Sequence, residues 1–340
     1  MIPFPAPSSA AEQGGGADIS ALHSDVMAAH ILARLDGPTL ASITSASLAL
    51  RRLCSDQTHR LWLDICHSTW PSTAAPRVTD VISAFPDGGP RAFFAHSFPL
   101  PASAPSSSPS SPPKELISAV DIRYKDELIF SKVHEMETSS SGFEHSPFMV
   151  DLVDPKDGVF TQITHPDENG MCASFTKDVT LSWIMIDPNN QQVVNLSSYK
   201  PVSVHRQWLG GGRVRVTFAS ILLTEHRHAG PAQCGIVVTF DASNGGETLH
   251  VWEVSIQMEG IDGNLLNGKD SLLILQMALE GKRVNGIRRA EESRRRFKEF
   301  LDLKKKRKER KEKVEMALGI LSVVFGASAF LAFSLFLLQT

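Results

Sequence analysis

The stretch 178-DVTLSWIMIDPNNQQVVNLSSY-199 carries the clearest structural signal in this chain of 340 residues. Every second position in its first half is large and apolar, namely Val179, Leu181, Trp183 and Met185. That period of two places these side chains on one face of a strand. The segment DPNN at 187–190 has the composition of a turn, and a second apolar run follows it. We therefore predict a β-hairpin with Trp183 in the core of a β-rich domain.

Three further stretches on both sides of this hairpin repeat the pattern. They are 116-LISAVDIRYKDELIFSKV-133, 204-VHRQWLGGGRVRVTF-218 and 235-GIVVTFDASNGGETLHVWEVSIQM-258. Short strands joined by Gly, Pro and Asn turns favour an antiparallel β-sandwich or jelly roll over residues 114–281. The stretch 270-DSLLILQMALEG-281 predicts a closing helix, with Asp270 as its N-cap and Gly281 just past its end.

The tryptophans of this domain have two interpretations. Trp183, Trp208 and Trp252 all lie on alternating strands, so burial in the core is the first interpretation for each. In the alternative, Trp208 lies near a loop with Arg206 and the glycine turn around Gly211, and the three form a surface for a peptide or ligand. On that basis we predict Arg206, Trp208 and Gly211 as substrate-binding residues.

Sequence motifs for catalysis, nucleotide binding and metal binding are absent. The chain has no G-x-S-x-G, no P-loop and no G-x-G-x-x-G. His226 and His228 are two residues apart, so on a strand they point to opposite faces, and no third metal ligand is close in sequence. The four cysteines form no C-x-x-C pair, which favours a reducing compartment over a disulfide framework or a zinc site. We predict no catalytic residue, no metal and no cofactor.

Charge and hydropathy set the C-terminal part of the chain apart. Residues 282–313 contain 16 Lys and Arg against 6 Asp and Glu, a net charge of +10, so the remainder carries −13 of the total of −3. Residues 316–338, 23 in number, contain neither a charged residue nor a proline. As a helix this run is about 34 Å long, enough to cross a hydrocarbon core of about 30 Å. We predict a basic juxtamembrane helix at 282–313 and a transmembrane anchor at 314–338.

The flanking charge predicts how this anchor is oriented. Basic residues beside a span stay in the cytosol, and those at 304–313 also attract anionic lipid headgroups. We therefore expect a tail-anchored, single-pass protein with its N-terminal bulk in the cytosol, in the endoplasmic reticulum or another endomembrane rather than in the nucleus. The aromatic residues of a single-strand binding groove do not interleave with these charges, so we predict no nucleic-acid partner.

The N-terminal part is helical in pattern. Residues 1–17 lack the basic and apolar regions of a signal peptide, so we expect a disordered leader. The stretch 19-ISALHSDVMAAHILARL-35 has helical spacing, and Gly37 and Pro38 break it. Two more helical stretches follow, 39-TLASITSASLALRRLC-54 and 56-DQTHRLWLDICHSTW-70. Helices this short need neighbours or a partner to be stable.

From Leu35 onward, the string LDGPTLASITSASLALRRLCSD, followed by RLW, resembles the F-box family. The matching positions are Leu35, Leu40, Ile43, Ala46, Ser47, Arg51, Arg52, Leu61 and Trp62. Leu50 stands where the family usually has Trp, and His23 or Ser24 stands where it usually has Pro. Compared with the spacing in the family, one extra residue also separates Leu22 from the pair Ile31 and Leu32.

This resemblance implies a small all-α F-box domain, which binds a Skp-type adaptor and through it a cullin. Short helices follow the motif in similar plant proteins, so we set the domain at 18–99, followed by a Pro/Ser-rich linker at 100–113. The adaptor-binding positions that the resemblance implies are Leu22, Val26, Met27, Ile31, Leu32, Leu35, Pro38, Leu40, Ile43, Leu50 and Trp62.

The expected chain is thus an α+β multidomain protein. It combines an F-box domain, an antiparallel β-sandwich-like domain, a basic helical stalk and one C-terminal transmembrane helix. The predicted function is the non-catalytic substrate-recognition subunit of a cullin-type ubiquitin ligase, tethered to a membrane and facing the cytosol, with an unknown protein substrate. The alternative is a ligase-independent, tail-anchored β-domain adaptor or lectin-like binding protein.

Overall fold

The computed structural model describes residues 26–27, 31–46, 48–97, 100–103, 111–154, 158–164, 170–207, 213–222, 230–241, 248–284 and 289–339. The chain divides into two compact units, Met1–Ile65 and Cys66–Thr340. The predicted leader at 1–17 lies outside the described residues, as do Leu22, Trp208, Gly211, His226 and His228.

The first unit is helical. A 3-10 turn at Leu32–Arg34 precedes α1 (Gly37–Ala46), and α2 (Leu48–Thr69) follows. The carboxylate of Asp36 accepts a hydrogen bond of 2.8 Å from the amide of Thr39, which satisfies a free donor at the start of α1. Hydrogen bonds from Thr39 also hold the pKa of Asp36 below its usual value. The break lies at Leu35 and Asp36, and Gly37 and Pro38 begin α1 instead of ending the preceding helix. The described residues of the predicted helix at 39–54 are helical and belong to α1 and α2.

The second unit contains helices and antiparallel strands. In chain order they are α3 (Pro76–Ser83), α4 (Pro90–Ser97), β1 (Leu100–Ser103), β2 (Glu115–Tyr124), β3 (Glu127–Glu137), α5 (Ser141–His145), β4 (Met149–Asp151), β5 (Val159–Thr164), α6 (Met171–Asp178), β6 (Val179–Asp187), β7 (Gln192–Asn195), β8 (Ser203–Arg206), β9 (Val214–Leu222), β10 (Ala232–Asp241), β11 (Thr248–Gly260), α7 (Gly268–Glu280), β12 (Lys282–Val284) and α8 (Arg289–Gln339).

Two antiparallel sheets share one hydrophobic core. The first has the order β3–β2–β6–β7, and the second has the order β4–β11–β10–β9–β8, with β5 also paired to β11. Side chains from both sheets, such as Ile122, Trp183 and Ile236, belong to the same buried cluster. The indole Nε1 of Trp183 donates a hydrogen bond of 3.1 Å to the hydroxyl of Ser118, so its polar atom is satisfied inside the core. The predicted hairpins and the core position of Trp183 are confirmed.

A helical layer covers the other face of the first sheet. A 3-10 turn at Pro71–Ala74 contacts β2 and β3, and α4 contacts β7. Every residue of β6 is buried as a result, because both faces of that strand are covered. The residues from Cys66 to Ser97 therefore belong to the unit that contains the sheets, although the sequence predicts them within an F-box domain at 18–99. The functional limits of the domains stay predictions.

The predicted linker and stalk are partly wrong. Leu100–Ser103, the start of the linker, forms β1, which pairs with β12 at Lys282–Val284. At the predicted start of the stalk, Lys282–Val284 forms β12 in place of a helix, and α8 spans Arg289–Gln339. Linker residues 104–110 lie outside the described part of the chain.

The first turns of α8 are packed on the unit instead of standing free as a solvated stalk. Arg289, Ser293 and Phe300 are buried, with 8%, 4% and 1% of their surface exposed. Farther along, Lys304 forms an ion pair with Glu259, and Arg307 forms one of 2.6 Å with Asp262. From Lys305 to Phe330 the side chains of this single helix are exposed. Its apolar part is compatible, by length and composition, with crossing a membrane.

The predicted closing helix is present as α7, but its N-cap is Asn267 and not Asp270. The side-chain oxygen of Asn267 accepts a hydrogen bond of 2.8 Å from the amide of Asp270. Asp270 lies in the first turn, where its negative charge interacts favourably with the helix dipole. The predicted position of Gly281 just past the helix end is confirmed.

Arg283 of β12 joins three elements through its guanidinium. Its donors bind the carbonyls of Ala278 (2.8 Å), Leu279 (2.9 Å) and Gly281 (2.6 Å) at the end of α7, of Val193 (2.8 Å) in β7, and of His96 (3.3 Å) in α4. Burial lowers the pKa of this guanidinium to about 10, so it remains charged at neutral pH.

We predict that Arg283→Met lowers the free energy of unfolding by about 2–4 kcal/mol, because it leaves several buried carbonyls without a donor. The change is measured by urea denaturation of the full chain in detergent micelles. The matched control is Arg295→Met on the exposed face of α8, where Arg295 forms ion pairs with Glu292 and Glu299. Equal losses of stability in the two variants would contradict the role assigned to Arg283.

Candidate functional site

The predicted adaptor-binding positions fall into three groups in the first unit. Val26, Ile31 and Pro38 are exposed, and Leu35 and Ile43 are half-buried. Met27, Leu32, Leu40 and Trp62 are buried, with 2% or less of their surface exposed. Leu50 lies on α2, and Leu22 is outside the described residues. These positions stay predictions, and the exposed apolar ones form the part of the set that a partner can reach.

The predicted substrate-binding trio is described at only one position. Arg206 is exposed at the end of β8, whereas Trp208 and Gly211 lie outside the described residues, so this site stays a prediction. The predicted core position of Trp252 is wrong, because this residue is half-buried and does not belong to the core cluster. The guanidinium of Arg213 lies 4.3 Å from its ring centroid, which makes a cation–π contact.

A cleft of about 600 Å³ lies on the outer face of the first sheet, in the second unit. It is lined by residues from five segments, at 68–70, 121–126, 180–182, 199–200 and 289–291. The sheet register pairs Asp121 with Ser182 and Arg123 with Thr180, which makes a polar floor. The helical layer covers the apolar part of this face and leaves the polar end open.

Asp121 anchors one wall of the cleft. Its carboxylate accepts hydrogen bonds from the amide of Ser72 (2.9 Å), the hydroxyl of Ser72 (2.5 Å) and the hydroxyl of Ser131 (2.7 Å). Burial raises the pKa of Asp121 above its usual value, while the hydrogen bonds from Ser72 and Ser131 and the charge of Arg123 act in the opposite direction. The indole of Trp70 donates a hydrogen bond of 3.1 Å to Ser182, which fixes the same wall to the sheet.

Three cations line the cleft, and each donates to a main-chain carbonyl. Arg123 binds the carbonyls of Asp126 and Ser68, both at 3.0 Å. Arg289, at the start of α8, binds the carbonyl of Ser197 at 2.6 Å, and Lys200 binds that of Lys177. Burial lowers the pKa of Lys200, and it lowers the pKa of Arg289 to about 10, so Arg289 keeps its charge at neutral pH.

Tyr199 at the rim has an unusual backbone. Its φ of 68° lies in the left-handed region, which a bulky side chain rarely adopts. The amide of Tyr199 donates to the hydroxyl of Ser197 and its carbonyl accepts from the amide of Leu181, both at 3.0 Å. These bonds hold the strained conformation and leave the ring 42% exposed. Such strain is concentrated at functional sites in proteins.

The sequence contained only part of the signal for this cleft. Asp121 and Arg123 interrupt an otherwise apolar strand at alternate positions, which marks a polar end on one face. Ser68–Trp70 and Arg289–Glu291 are distant in sequence, and only the fold brings them to that face.

Other reactive groups in the described residues have structural roles. Cys66, Cys172 and Cys234 are free thiols, and burial raises the pKa of Cys66 to about 12. No cluster of three or more metal-ligating side chains occurs in the described part of the chain. Asn195, which begins the glycosylation sequon NLS, is fully buried, so the folded protein does not present it to a transferase.

Comparison with known proteins identifies the family. A probable F-box protein of Arabidopsis thaliana is 42% identical over 322 residues, covering 94% of this chain and 93% of the relative. Two further F-box proteins of the same plant are 40% identical over 332 residues and 39% identical over 309 residues. They cover 95% and 86% of this chain, and 97% and 82% of their own lengths. No family model and no solved structure matches the chain. The chain belongs to the plant F-box proteins, which are generally non-catalytic adaptor subunits.

We predict a pH-dependent stability contribution from Asp121. Burial raises its pKa in the folded chain, so the folded chain binds this proton at pH values where the unfolded chain has released it. The contribution is therefore complete below the usual pKa of 3.8 and declines as the pH rises through the folded value. This contribution is measured by comparing the free energies of unfolding of the wild type and Asp121→Asn from about pH 4 to about pH 7. We expect the wild type to lose stability relative to the variant as the pH rises, and the opposite trend would contradict the prediction.

Proposed function

We propose that this chain is the substrate-recognition subunit of a Skp–cullin–F-box ubiquitin ligase that is tethered to a membrane and faces the cytosol. The observation that carries the proposal is the identity of 39–42% with three F-box proteins over most of their length. The F-box-like string from Leu35 to Trp62 supports it. Such a subunit contributes to ubiquitin transfer by holding its substrate close to the transfer machinery.

In this proposal, the exposed apolar residues of the first unit contact the Skp-type adaptor. Val26 is 43% exposed, Ile31 is 40% exposed and Leu48 is 73% exposed. Exposed apolar side chains are the ones that a protein partner can bury on binding. The buried members of the predicted set, such as Leu32 and Leu40, would then maintain the helices that display this surface.

We predict that Val26→Asp with Ile31→Asp abolishes adaptor binding, because two charges would be desolvated in an apolar interface. Adaptor binding is measured by isothermal titration calorimetry, with a purified Skp-type adaptor titrated into the full chain in micelles. Leu128→Asp is the matched control, because Leu128 is also 43% exposed but lies on β3 in the second unit. The control should bind like the wild type. A folded wild-type chain that does not bind the adaptor would favour a ligase-independent β-domain adaptor.

The full chain is the right material for this test. A fragment that ends at residue 99 would separate α3, α4 and the turn at Pro71–Ala74 from the sheet on which they pack. It would also remove the carboxylate of Asp121 from its donors on Ser72. Failure of such a fragment to bind could reflect misfolding.

We further propose that α8 links the second unit to the bilayer through one continuous helix. Its ion pairs with the unit extend to Arg307, and the uncharged run begins at Met316. Met316 follows Arg307 by nine positions, which corresponds to about 13 Å along the helix. The basic residues at 304–313 would lie at the headgroups of an anionic endomembrane leaflet, such as that of the endoplasmic reticulum, where each contributes about 1 kcal/mol of attraction. The sheets would thus be held close to the membrane surface.

We predict that the full chain fractionates with membranes and resists alkaline extraction, whereas a chain truncated after residue 313 is soluble. The physical reason is the loss of the apolar run at 316–338, which alone is long enough to span. In sealed microsomes, added protease should digest the N-terminal bulk of the full chain. Protection of that bulk, or alkali-resistant membrane association of the truncated chain, would contradict the proposed topology.

A further inference from the structure

We infer that the cleft on the outer face of the first sheet binds an acidic segment of a protein partner, with side-chain carboxylates meeting Arg123, Lys200 and Arg289. This inference rests on the proposed function, because a recognition subunit needs a site for the protein it selects. It goes beyond the proposed function by stating the chemical class of protein segment, an acidic one, that the site binds. Arg206, which the sequence suggested as a binding residue, does not line this cleft.

The size and construction of the cleft fit a binding site. Its volume of about 600 Å³ lies in the range of about 300–1,000 Å³ that is typical of ligand sites. Its floor is regular sheet, and its walls are fixed by the bonds of Ser72 to Asp121 and of Trp70 to Ser182. A site on such a rigid support can hold its charged groups in place before a partner arrives.

The charges of the cleft favour an anion. In the described part of the chain, neither Arg123 nor Lys200 takes part in an ion pair, and both donate to neutral carbonyls. Asp178 and Asp126 interact electrostatically with Lys200, and Asp121 interacts with Arg123, so the charge of both cations is compensated in part before a ligand arrives. Burial of Arg289 and partial burial of Arg123 and Lys200 also reduce the screening of these cations by water.

The carboxylates that line the cleft compete only weakly with a ligand for its three cations. Asp121 is buried and already accepts three hydrogen bonds from Ser72 and Ser131. Asp126 and Glu291 are exposed at the rim, where water solvates them. The three cations are less exposed than these two rim carboxylates. A ligand carboxylate that enters the cleft therefore meets positive charge.

Tyr199 favours a peptide over a small free anion. Its exposed ring lies beside the cations, with the ammonium of Lys200 6.0 Å from the ring centroid. An aromatic surface beside cationic donors can pack against the apolar parts of a peptide while the donors bind its carboxylates. The backbone of Tyr199, with its φ of 68°, holds this ring at the rim.

The test measures binding of a fluorescein-labelled hexaglutamate peptide to the full chain in micelles, by fluorescence anisotropy. We expect Arg123→Gln with Lys200→Gln to weaken binding by about tenfold or more, the usual size of effect for close charge pairs at an interface. Lys132→Gln should leave binding unchanged. It is a matched control because Lys132 also donates to a main-chain carbonyl, that of Leu152 at 2.6 Å, outside the cleft.

A second variant separates binding from folding. Tyr199→Gly removes the ring and relieves the strained φ, because glycine adopts positive φ readily. We expect its thermal midpoint not to fall, while its affinity for hexaglutamate falls several-fold. If Tyr199→Gly binds like the wild type, the ring has no part in recognition and the proposed peptide site is overturned.

Further arms identify the source of any binding. The double variant Lys308→Gln with Lys311→Gln measures how much the basic stalk contributes to peptide binding. If this variant loses binding while Arg123→Gln with Lys200→Gln retains it, the proposal is overturned. Equal binding of hexaglutamine would exclude recognition of carboxylates. Binding of inorganic phosphate with no binding of hexaglutamate would make the cleft a phosphate site and overturn the proposal too. Adaptor binding is measured separately, so failure of the cleft would leave the proposed ligase role standing.

Discussion

The guanidinium of Arg283 holds the second unit together at the point where its layers meet. It binds carbonyls of α4, of β7 and of the C-terminal end of α7. A cation at a helix C-terminus is favoured by the helix dipole, and here the same charge also satisfies acceptors from two other elements. Because β12 carries Arg283 and pairs with β1, one short strand connects the helical layer, the first sheet and the start of α8.

This arrangement explains where the cleft lies. The helical layer covers the apolar part of the outer face of the first sheet, and the start of α8 lines the cleft on the same face. The floor of this cleft is formed by polar residues of β2 and β6, among them Asp121, Arg123 and Thr180. Since α8 continues into the apolar run, the element that completes the cleft is also the one that we propose to hold the protein at a membrane.

Local sequence predicted much of the fold and little of the cleft. Period-two alternation identified β6 and β7, and the core position of Trp183 followed from it. The helix α7 was predicted from Gly281 and its apolar spacing, but its N-cap was misplaced because Asp270 and Asn267 are both good capping residues. The stalk was predicted as free because its charges resemble a solvated face. Phe300 and the carboxylates of Glu259 and Asp262, which are distant in sequence, bind it to the unit.

The sequence by itself determined the elements whose signal is local: the alternating strands, a break between helices close to Gly37 and Pro38, the F-box-like string and the uncharged run near the C-terminus. These follow from the side-chain period of a strand or helix, from backbone restriction at Gly and Pro, and from the length of an apolar run. Tertiary structure alone decided that β1 pairs with β12, that Arg283 joins three elements, and that Ser68–Trp70 and Arg289–Glu291 meet at one sheet face. Such contacts depend on long-range closure of the chain, and no local pattern encodes which distant segments will come together.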